Sequence, residues 1–456
     1  MKKLLIIATL AAVGMGACSK DDGVSAPEDL RKYVQVTIPE NAASGETRTS
    51  VDGTTTSWVA GDKVAVSLYN GSTTEVCEFT ADRTGATTTF SGSVPVGSYT
   101  CAAAHYPFCA ATFDAVNKTF THTWGDAYCS TDLAAYDFMF STVYETPFVV
   151  DETTTVLPIA LTFRPLMARI GMKLALGANE TPKYVTFTTD DNVLPTAGTV
   201  NADGTFSASA LTNTLTVETD RKEFTVGLLP VGVASKMSVH VTTTDGMTYS
   251  DKSFQLAGLK RNTHYTMNVP CRTKRFMLTV PDGVNSKYGT GTYKNNEFYS
   301  VDPATDPTGI FKDWYFYRAE LKNTTNTARG DKLKGKNRIQ LQVALGGNNS
   351  NNGAFVTAPI QCDGTKTVTV SFTAATNRAI SANYWIGVTD NGPITSDWLR
   401  DINKISPHAE GLIPRSDNVS HSHTFTVTNG QRIMVKVSNT LGEHHLEFAD
   451  FTYTVE

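Results

Sequence analysis

The residue with the clearest chemical role in this sequence is Cys18, which follows a short apolar stretch near the N-terminus. Two lysines at the start supply positive charge, residues 4–13 are mainly apolar, and the small pair Gly16-Ala17 stands directly before the cysteine. This order predicts a signal peptide over residues 1–17 and cleavage that leaves Cys18 as the first residue. Because the apolar stretch is much shorter than the roughly 20 residues of a spanning helix, no transmembrane helix is required.

The segment resembles the lipobox of bacterial lipoproteins, with Met15 where leucine is usual. The resemblance implies that Cys18 carries lipid on its sulfur and its amine, and two or three acyl chains anchor a protein almost permanently. Residues 18–30 would then be a polar tether. Within it, residues 19–22 (Ser-Lys-Asp-Asp) resemble an export signal of surface lipoproteins in gut and oral anaerobes, which implies a surface-exposed lipoprotein of the outer membrane. The alternatives are that residues 1–17 are an ordinary secretory signal and that residues 19–22 are part of a polar tether without an export signal.

Length and composition indicate an extracellular β protein of more than one domain. With 456 residues, the chain exceeds what a single hydrophobic core normally serves, so two or three domains are expected. Charged residues make up only 18%, glycine is frequent, and long helical periodicities are missing. A net charge of -5 gives no reason to expect nucleic acid as a partner.

Six cysteines remain after Cys18, and an exported chain could oxidise them. They are Cys77, Cys101, Cys109, Cys129, Cys271 and Cys362. One or two disulfides could form among the first four, but the sequence leaves their pairing open. We expect Cys271 and Cys362 to be free thiols, and no spacing of cysteine or histidine predicts a zinc site.

The elements that position these residues are short strands. From Tyr33 onward, runs of alternating apolar and polar residues are broken by Gly, Asn and Asp turns, a pattern typical of β-sandwiches. A first set spans residues 31–150 and a second set spans residues 151–270. Residues 270–275 predict a linker, and the cleanly alternating runs within residues 271–456 predict a separate jelly-roll sandwich.

Three stretches in the first two sets resemble the fimbrillin family of pilin-like surface lipoproteins. They are Thr47-Arg-Thr-Ser50 with Thr56-Ser-Trp-Val-Ala-Gly-Asp-Lys-Val-Ala-Val66, then Phe163-Arg-Pro-Leu-Met-Ala-Arg-Ile-Gly-Met-Lys-Leu174, and finally Gly258-Leu-Lys-Arg-Asn-Thr-His-Tyr-Thr-Met-Asn-Val269. The resemblance implies an all-β chain with two tandem transthyretin-like β-sandwiches ahead of the jelly-roll β-sandwich. We expect Trp58 to fill the first core and Gly61-Asp62 to form a turn, and neither to contact a ligand.

The resemblance also implies how such subunits assemble. They are secreted as lipidated precursors, an arginine-specific protease removes the first strand, and a strand donated by another pilin subunit fills the groove by β-augmentation. Here residues 33–38 would be the removable strand and Arg48 the processing site, with Arg31 as the competing site. In the alternative, Arg48 is an uncut exposed residue and the protein stays anchored through Cys18.

The last segment resembles galactose-binding-like carbohydrate modules, notably in its closing run Phe448-Ala-Asp-Phe-Thr-Tyr-Thr454. Sugars are commonly held by flat aromatic faces and amide groups. The candidates are Trp314, Tyr315, Tyr384, Trp385 and Trp398, with Asn348, Asn349, Asn351 and Asn352 in a Gly/Asn loop. Asp450 resembles the carboxylate that binds a structural calcium in related modules. In the competing interpretation the aromatic residues pack inside and Asp450 caps a turn or is solvated.

Two further expectations concern this segment. The basic run over residues 318–338 holds seven Lys/Arg and could meet anionic glycans, but we expect a solvated loop because no aromatic residues alternate with the charges. Residues 396–405 predict a short helix capped by Ser396, with apolar residues on one face.

No catalytic motif stands out, since the sequence lacks a Gly-x-Ser-x-Gly elbow, a phosphate loop and a His-Glu-x-x-His pattern. We therefore expect a non-enzymatic protein that acts in adhesion, as the tip or an accessory subunit of a fimbrium. Its ligand would be a host or microbial glycan or protein. The alternative is a stand-alone glycan-binding lipoprotein of the cell surface, and a hydrolase would have to show turnover.

Overall fold

A computed structural model describes residues 30–38, 50–52, 55–85, 87–256, 258–281, 284, 298–301, 306, 309–325, 331–343, 352–376, 381–390, 392–406, 408–414, 418–438 and 445–456. The lipidation residue Cys18, the processing residue Arg48 and three of the loop asparagines (Asn348, Asn349 and Asn351) lie outside this described part. None of the described helices is both long and apolar enough to cross a membrane.

The N-terminal part of the chain consists of short strands and one single-turn helix. They are β1 (Arg31–Ile38), β2 (Ser50–Asp52), β3 (Thr55–Ser57), β4 (Lys63–Tyr69), β5 (Thr74–Ala81), β6 (Thr88–Pro95), β7 (Gly97–Tyr99), β8 (Cys101–Tyr106), β9 (Thr112–Asp114), β10 (Thr119–Thr123), α1 (Leu133–Tyr136), β11 (Met139–Ser141) and β12 (Phe148–Val150).

The middle of the chain continues with strands. They are β13 (Phe163–Pro165), β14 (Ala168–Leu174), β15 (Pro182–Thr189), β16 (Leu194–Asn201), β17 (Phe206–Thr212), β18 (Thr214–Glu218), β19 (Glu223–Leu228), β20 (Ser235–Thr243), β21 (Thr248–Leu256) and β22 (His264–Val269).

The C-terminal part contains the remaining strands, a second single-turn helix and a 3-10 turn (Ile402–Lys404). They are β23 (Lys274–Met277), β24 (Phe298–Ser300), β25 (Tyr315–Tyr317), β26 (Ala319–Lys322), β27 (Arg338–Gln342), β28 (Ala354–Val356), β29 (Thr365–Thr376), β30 (Ala382–Thr389), α2 (Ser396–Arg400), β31 (His408–Ile413), β32 (Val419–Thr428), β33 (Arg432–Val437) and β34 (His445–Val455).

The predicted fold class is confirmed: the described chain is all-β and forms two sandwiches followed by a jelly roll. The first sandwich is built on a seven-stranded sheet in the order β1-β6-β5-β4-β8-β11-β13. The second sandwich uses β19-β14-β22 and the β18-β15-β20-β21 part of a ten-stranded sheet. The jelly roll packs β23, β34, β27, β26, β29 and β32 against β24-β25-β28-β33-β30-β31.

The predicted role of Trp58 is confirmed by the first core. Trp58 is completely buried, and its indole ring makes edge contacts with Phe90, Tyr106 and Phe163 at centroid distances of 4.9 to 5.5 Å. Gly61 turns the chain with a φ of 95°, which favours glycine. A few residues of local sequence thus fix both the turn and the ring.

The described cysteines after Cys18 are all free thiols, so none of the disulfides considered for the first sandwich is present in this part of the chain. The expectation that Cys271 and Cys362 are free is met. Burial raises the pKa of the Cys129 thiol to about 12, so this group is a packed apolar side chain and not a reactive one.

The linker expected over residues 270–275 is wrong at its C-terminal end. β23 begins at Lys274 and pairs with β21 on one side and with β34 on the other. The ten-stranded sheet therefore runs without interruption from the second sandwich into the jelly roll. The chain crosses here from β22 in the three-stranded sheet to β23 in the ten-stranded sheet, and the crossing is short because Lys274 is buried at the junction.

A buried ion-pair network holds this junction together. The Lys274 ammonium lies 2.7 Å from Glu180 Oε1 and 3.0 Å from Asp245 Oδ2, and it also donates to the Gln361 carbonyl. The Tyr249 hydroxyl donates to Glu180 Oε1 at 2.6 Å, and burial together with this carboxylate raises the tyrosine pKa. Glu180 and Asp245 belong to the second sandwich, and Gln361 belongs to the jelly roll. Lys274 therefore connects the two modules.

Candidate functional site

The first feature that could act in assembly is β1, the edge strand of the seven-stranded sheet. It pairs antiparallel with β6 over all eight residues, from Arg31 opposite Pro95 to Ile38 opposite Thr88. Val34, Val36 and Ile38 are at most 1% exposed and enter the first core. Removing β1 would therefore leave an apolar groove beside an unpaired strand, which is the geometry that strand addition requires.

Arg31, the competing processing site, lies inside this strand. Its guanidinium donates to Glu75 Oε1 and to the Ser93 carbonyl, both at 3.1 Å. The neighbouring backbone is also paired, because Val96 N donates to the Leu30 carbonyl at 2.8 Å. A protease needs a chain segment that it can draw into its active site, and a paired strand does not offer one.

The second feature is a group of aromatic rings on the outer face of the six-stranded jelly-roll sheet. Tyr315 on β25, Trp385 on β30 and Trp398 on α2 are all half-buried and pack against one small apolar cluster on this face. The cluster consists of Tyr317, Ala354, Val356, Leu399, Ile405 and Met434. We call this surface the aromatic face. The structure thus brings three of the five predicted rings together.

The other two predicted rings are corrected by their burial. Trp314 and Tyr384 are completely buried in the jelly-roll core, so neither presents a ring face to a ligand at the surface. The Trp314 ring stacks with the Phe355 ring at a centroid distance of 5.9 Å. The Tyr384 hydroxyl lies 2.8 Å from His423 Nε2. Neighbouring strand residues point to opposite faces, which is why Trp314 is inside while Tyr315 is outside.

Two polar side chains beside Trp385 were not found from the sequence. The Trp385 indole N–H donates to the Glu410 carboxylate, which lies opposite it on β31. Asn383 lies two residues before Trp385 on the same strand face, and its Oδ1 is buried with no described hydrogen-bond partner. Glu410 is 25 residues away in sequence, and only the strand register identifies it. An aromatic ring with a carboxylate and an amide beside it suits a sugar ring.

The Tyr315 ring is already covered by two neighbouring side chains. It stacks with Phe298 at a centroid distance of 5.8 Å, and the Arg432 guanidinium carbon lies 5.7 Å from its ring centroid. Arg432 is itself fixed by two backbone carbonyls, those of Asp313 at 2.7 Å and Thr357 at 2.8 Å. Trp385 and Trp398 therefore have the stronger claim to contact a ligand.

A buried lysine fixes α2 on the aromatic face. Lys436 lies next to Trp385 in the sheet, and its ammonium donates to the Leu399 carbonyl at 3.3 Å and the Asn352 carbonyl at 3.4 Å. Burial, with a contribution from nearby Arg400, lowers its pKa to about 8. The helix begins after Thr395, whose hydroxyl accepts from Trp398 N, and the expected cap at Ser396 is off by one residue.

The residues around Asp450 do not fit a calcium ion. Asp450 has a positive φ of 53° at an irregularity in β34, and its carboxylate forms an ion pair with the Lys336 ammonium. Calcium takes six to eight oxygen ligands, whereas the described residues lining this cleft include no second carboxylate. Asp450 thus fits the turn-forming role, since aspartate tolerates this backbone conformation better than most residues.

The expectation of a solvated loop over residues 318–338 holds only in part: Lys332 and Lys334 are exposed in a turn, residues 326–330 lie outside the described part, and three other cations are buried. Arg318, Lys322 and Arg338 are buried, and the last two pair with Asp331 at 3.3 and 2.5 Å. Burial alone would raise the pKa of Asp331, but hydrogen bonds from His445, Gln340 and Arg338 outweigh it and lower that pKa.

Three side chains of the same cluster could in principle hold a metal ion. Asp331, His445 and Glu447 bring their ligand atoms close together. However, the Glu447 carboxylate already accepts the N–H groups of Lys332 and Leu333, each at 2.8 Å. Two cations also neutralise Asp331, so the cluster is a structural ion-pair network.

Comparison with known proteins gives a family and a set of distant folds. A family model described as fimbrillin-like matches residues 47–283, just over half of the chain. No curated protein matches the sequence. Among solved structures, a Bacteroides uniformis protein assigned to cell adhesion is 17% identical with a TM-score of 0.36, over 54% of this chain and 94% of that one.

Two other solved structures are similarly distant. The tip fimbrial protein Mfa3 from Porphyromonas gingivalis, truncated at its C-terminus, is 12% identical over 55% of this chain and 96% of that one, with a TM-score of 0.29. A xylan-binding domain from Paenibacillus barcinonensis is 10% identical over 36% and 89%, with a TM-score of 0.21. Structural likeness at this level carries no argument about ligands or partners.

Proposed function

Because the chain belongs to the fimbrillin-like family, whose members are cell-surface fimbrial proteins, we propose that it is a fimbrial tip or accessory subunit that presents a glycan-binding module. In this proposal the chain is exported as a lipoprotein of the outer membrane, acylated at Cys18. It then accepts a strand from another pilin subunit, and its aromatic face holds the ligand. It has no enzymatic role.

The observation that carries this proposal is the position of the C-terminal strand. β34 pairs with β23, β27 and β29, and most of its residues are buried. Donating it to a neighbour would dismantle the jelly roll and the junction. The chain is therefore suited to accept a strand in place of β1 but not to donate β34, and such a subunit ends a fibre or stands beside it.

Processing is proposed at Arg48, since Arg31 is held within β1. In surface-purified protein we expect an N-terminus directly after Arg48, and Arg48→Ala should leave only a form that starts at acylated Cys18. Arg31→Ala is the matched control and should be processed like the wild type. N-terminal sequencing and mass spectrometry distinguish these forms.

If wild-type protein starts at Cys18 and no shorter form is found, the proposed cleavage at Arg48 is excluded. The chain would then be a stand-alone glycan-binding lipoprotein that keeps β1 and remains anchored. Binding by the aromatic face would be unaffected by that result, because β1 and this face belong to different sandwiches.

Ligand binding is proposed at Trp385 and Trp398. A glycan array probed with the full mature chain should yield ligands whose affinity falls tenfold or more in Trp385→Ala, about 1.4 kcal/mol, as expected for an aromatic residue central to a binding surface. The full chain is needed because β23 pairs with β21 of the second sandwich and with β34 of the jelly roll. Phe108→Ala, at a 42% exposed ring in the first sandwich, is the control.

Equal binding by Trp385→Ala and the Phe108→Ala control would exclude the aromatic face as the ligand site. If the wild type binds no glycan on the array while antibodies still label fimbriae, the protein is a structural subunit without a glycan ligand.

A further inference from the structure

A groove crosses the junction between the second sandwich and the jelly roll. Its floor is the outer face of the ten-stranded sheet, and residues 309–310 form one wall. The cavity has a volume of about 710 Å³, and a second cleft of about 640 Å³ shares Arg275 and Met277 with it. We call the two together the junction groove. Each part has the size of a typical small-ligand site.

The side chains that line the junction groove carry more positive than negative charge. Lys183, Arg275 and Lys336 are the cations. Lys336 is paired with Asp450 and Lys183 also lines a neighbouring cleft with Glu218 and Asp220, so Arg275 is the cation on which the charge argument rests. Arg275 is exposed on β23, and no described side chain pairs with its guanidinium. Because the whole chain has a net charge of -5, this excess is a local feature. It favours an anionic ligand.

The rest of the lining is rich in hydroxyl groups and has two apolar patches. The hydroxyl groups belong to Thr242, Thr244, Thr248, Ser250, Ser371, Ser422 and Thr452. The Met277 side chain is 60% exposed, and the half-buried Tyr184 ring lies 5.0 Å from the Lys183 ammonium. Sugar rings present hydroxyl groups at their edges and C–H groups on their faces, so this mixture of surfaces suits them.

An acidic peptide fits the junction groove less well than a glycan does. Extended peptides usually bind sheets by adding a strand at an edge, where N–H and C=O groups are unpaired. Here the floor is the face of a sheet, and the backbone groups of β15, β20, β21 and β23 already pair within it. Recognition must therefore use side chains, which favours a ligand with many hydroxyl and acidic groups.

We propose that the junction groove binds an acidic polysaccharide, a glycan chain that carries carboxylate or sulfate groups. Arg275 would form a charge-assisted bidentate contact with an acidic group, and a neighbouring sugar ring would rest on Met277. This site is distinct from the aromatic face, since it lies on the other outer face of the jelly roll and includes residues of the second sandwich. It does not depend on the proposed fimbrial function.

The test is calorimetric titration of the full mature chain with two acidic polymers, polygalacturonate and heparin. Neutral dextran is the negative control. Arg275→Glu should lower the affinity for the acidic polymers at least tenfold. Lys260→Glu makes the same charge change at an exposed lysine outside the groove and should change the affinity less than twofold. Ser250→Glu, which adds a negative charge to the groove while keeping Arg275, should also weaken binding.

The proposal is overturned if the wild type binds neither acidic polymer, or if Lys260→Glu and Arg275→Glu weaken binding equally, which would indicate diffuse charge attraction. Unchanged melting temperatures of both variants verify that the fold is intact. Trp385→Ala should bind the acidic polymers like the wild type, so failure of the aromatic face and failure of the junction groove are separate results.

Discussion

Lys274→Ala is expected to lower the free energy of unfolding by about 3–5 kcal/mol, one of the two largest effects predicted for this chain. The substitution leaves two buried carboxylates, those of Glu180 and Asp245, without their shared cation. Removing one partner of a buried ion pair typically has an effect of this size, because the remaining charge stays desolvated. The carboxylates are at most 6% exposed, so water cannot replace the lysine readily.

Thermal and denaturant unfolding measure this effect. Lys173→Ala is the matched control, because Lys173 forms an exposed ion pair with Glu223 at 2.8 Å, and solvent screens such pairs so that they contribute little to stability. Lys274→Ala should also increase proteolysis near residues 270–275, where the two modules separate. Equal stability of the two variants would mean that the buried network does not hold the junction.

Val36→Asp is expected to destabilise the first sandwich by a similar amount, about 3–5 kcal/mol, and to promote self-association. Val36 has no exposed surface and lies in the middle of β1. A carboxylate there has no partner and would have to be buried as a charge or take up a proton. Loss of β1 exposes the edge of β6, which can then take a strand from another copy.

Tyr33→Asp is the control for this variant, since Tyr33 lies in the same strand and is 67% exposed. We expect it to change the free energy of unfolding by less than about 0.5 kcal/mol. Calorimetry and size-exclusion chromatography compare the two. If Val36→Asp melts like Tyr33→Asp and stays monomeric, β1 is not the strand that fills this groove.

The parts of the fold that local sequence determines could be predicted well. The turn at Gly61 and the burial of Trp58 depend on a few neighbouring residues, and the period-two alternation indicated an all-β chain. Sequence parity also requires that Tyr384 and Trp385 face opposite sides of a strand. The alternation does not tell which face of the strand packs against the opposite sheet. For this reason Tyr384 was predicted to contact a ligand although it belongs to the core.

The remaining parts depend on partners that are distant in sequence. Lys274 lies in a stretch that is typical of a linker, and it becomes buried only because carboxylates 94 and 29 residues away meet it. Glu410 is brought beside Trp385 by strand register alone. Arg338 is likewise buried because β27, to which it belongs, pairs with β34. Such pairings depend on the order of strands in the sheets, which cannot be predicted from a single sequence.

The unbroken sheet at the junction has a mechanical consequence. A tensile force applied to a ligand on the jelly roll would reach the second sandwich through neighbouring hydrogen-bonded strands and the Lys274 network acting together, and not through a flexible tether. The jelly roll therefore cannot swivel freely, and its aromatic face keeps a fixed angle to the second sandwich. In the proposed function, this rigidity trades reach for a firm hold on the ligand under flow.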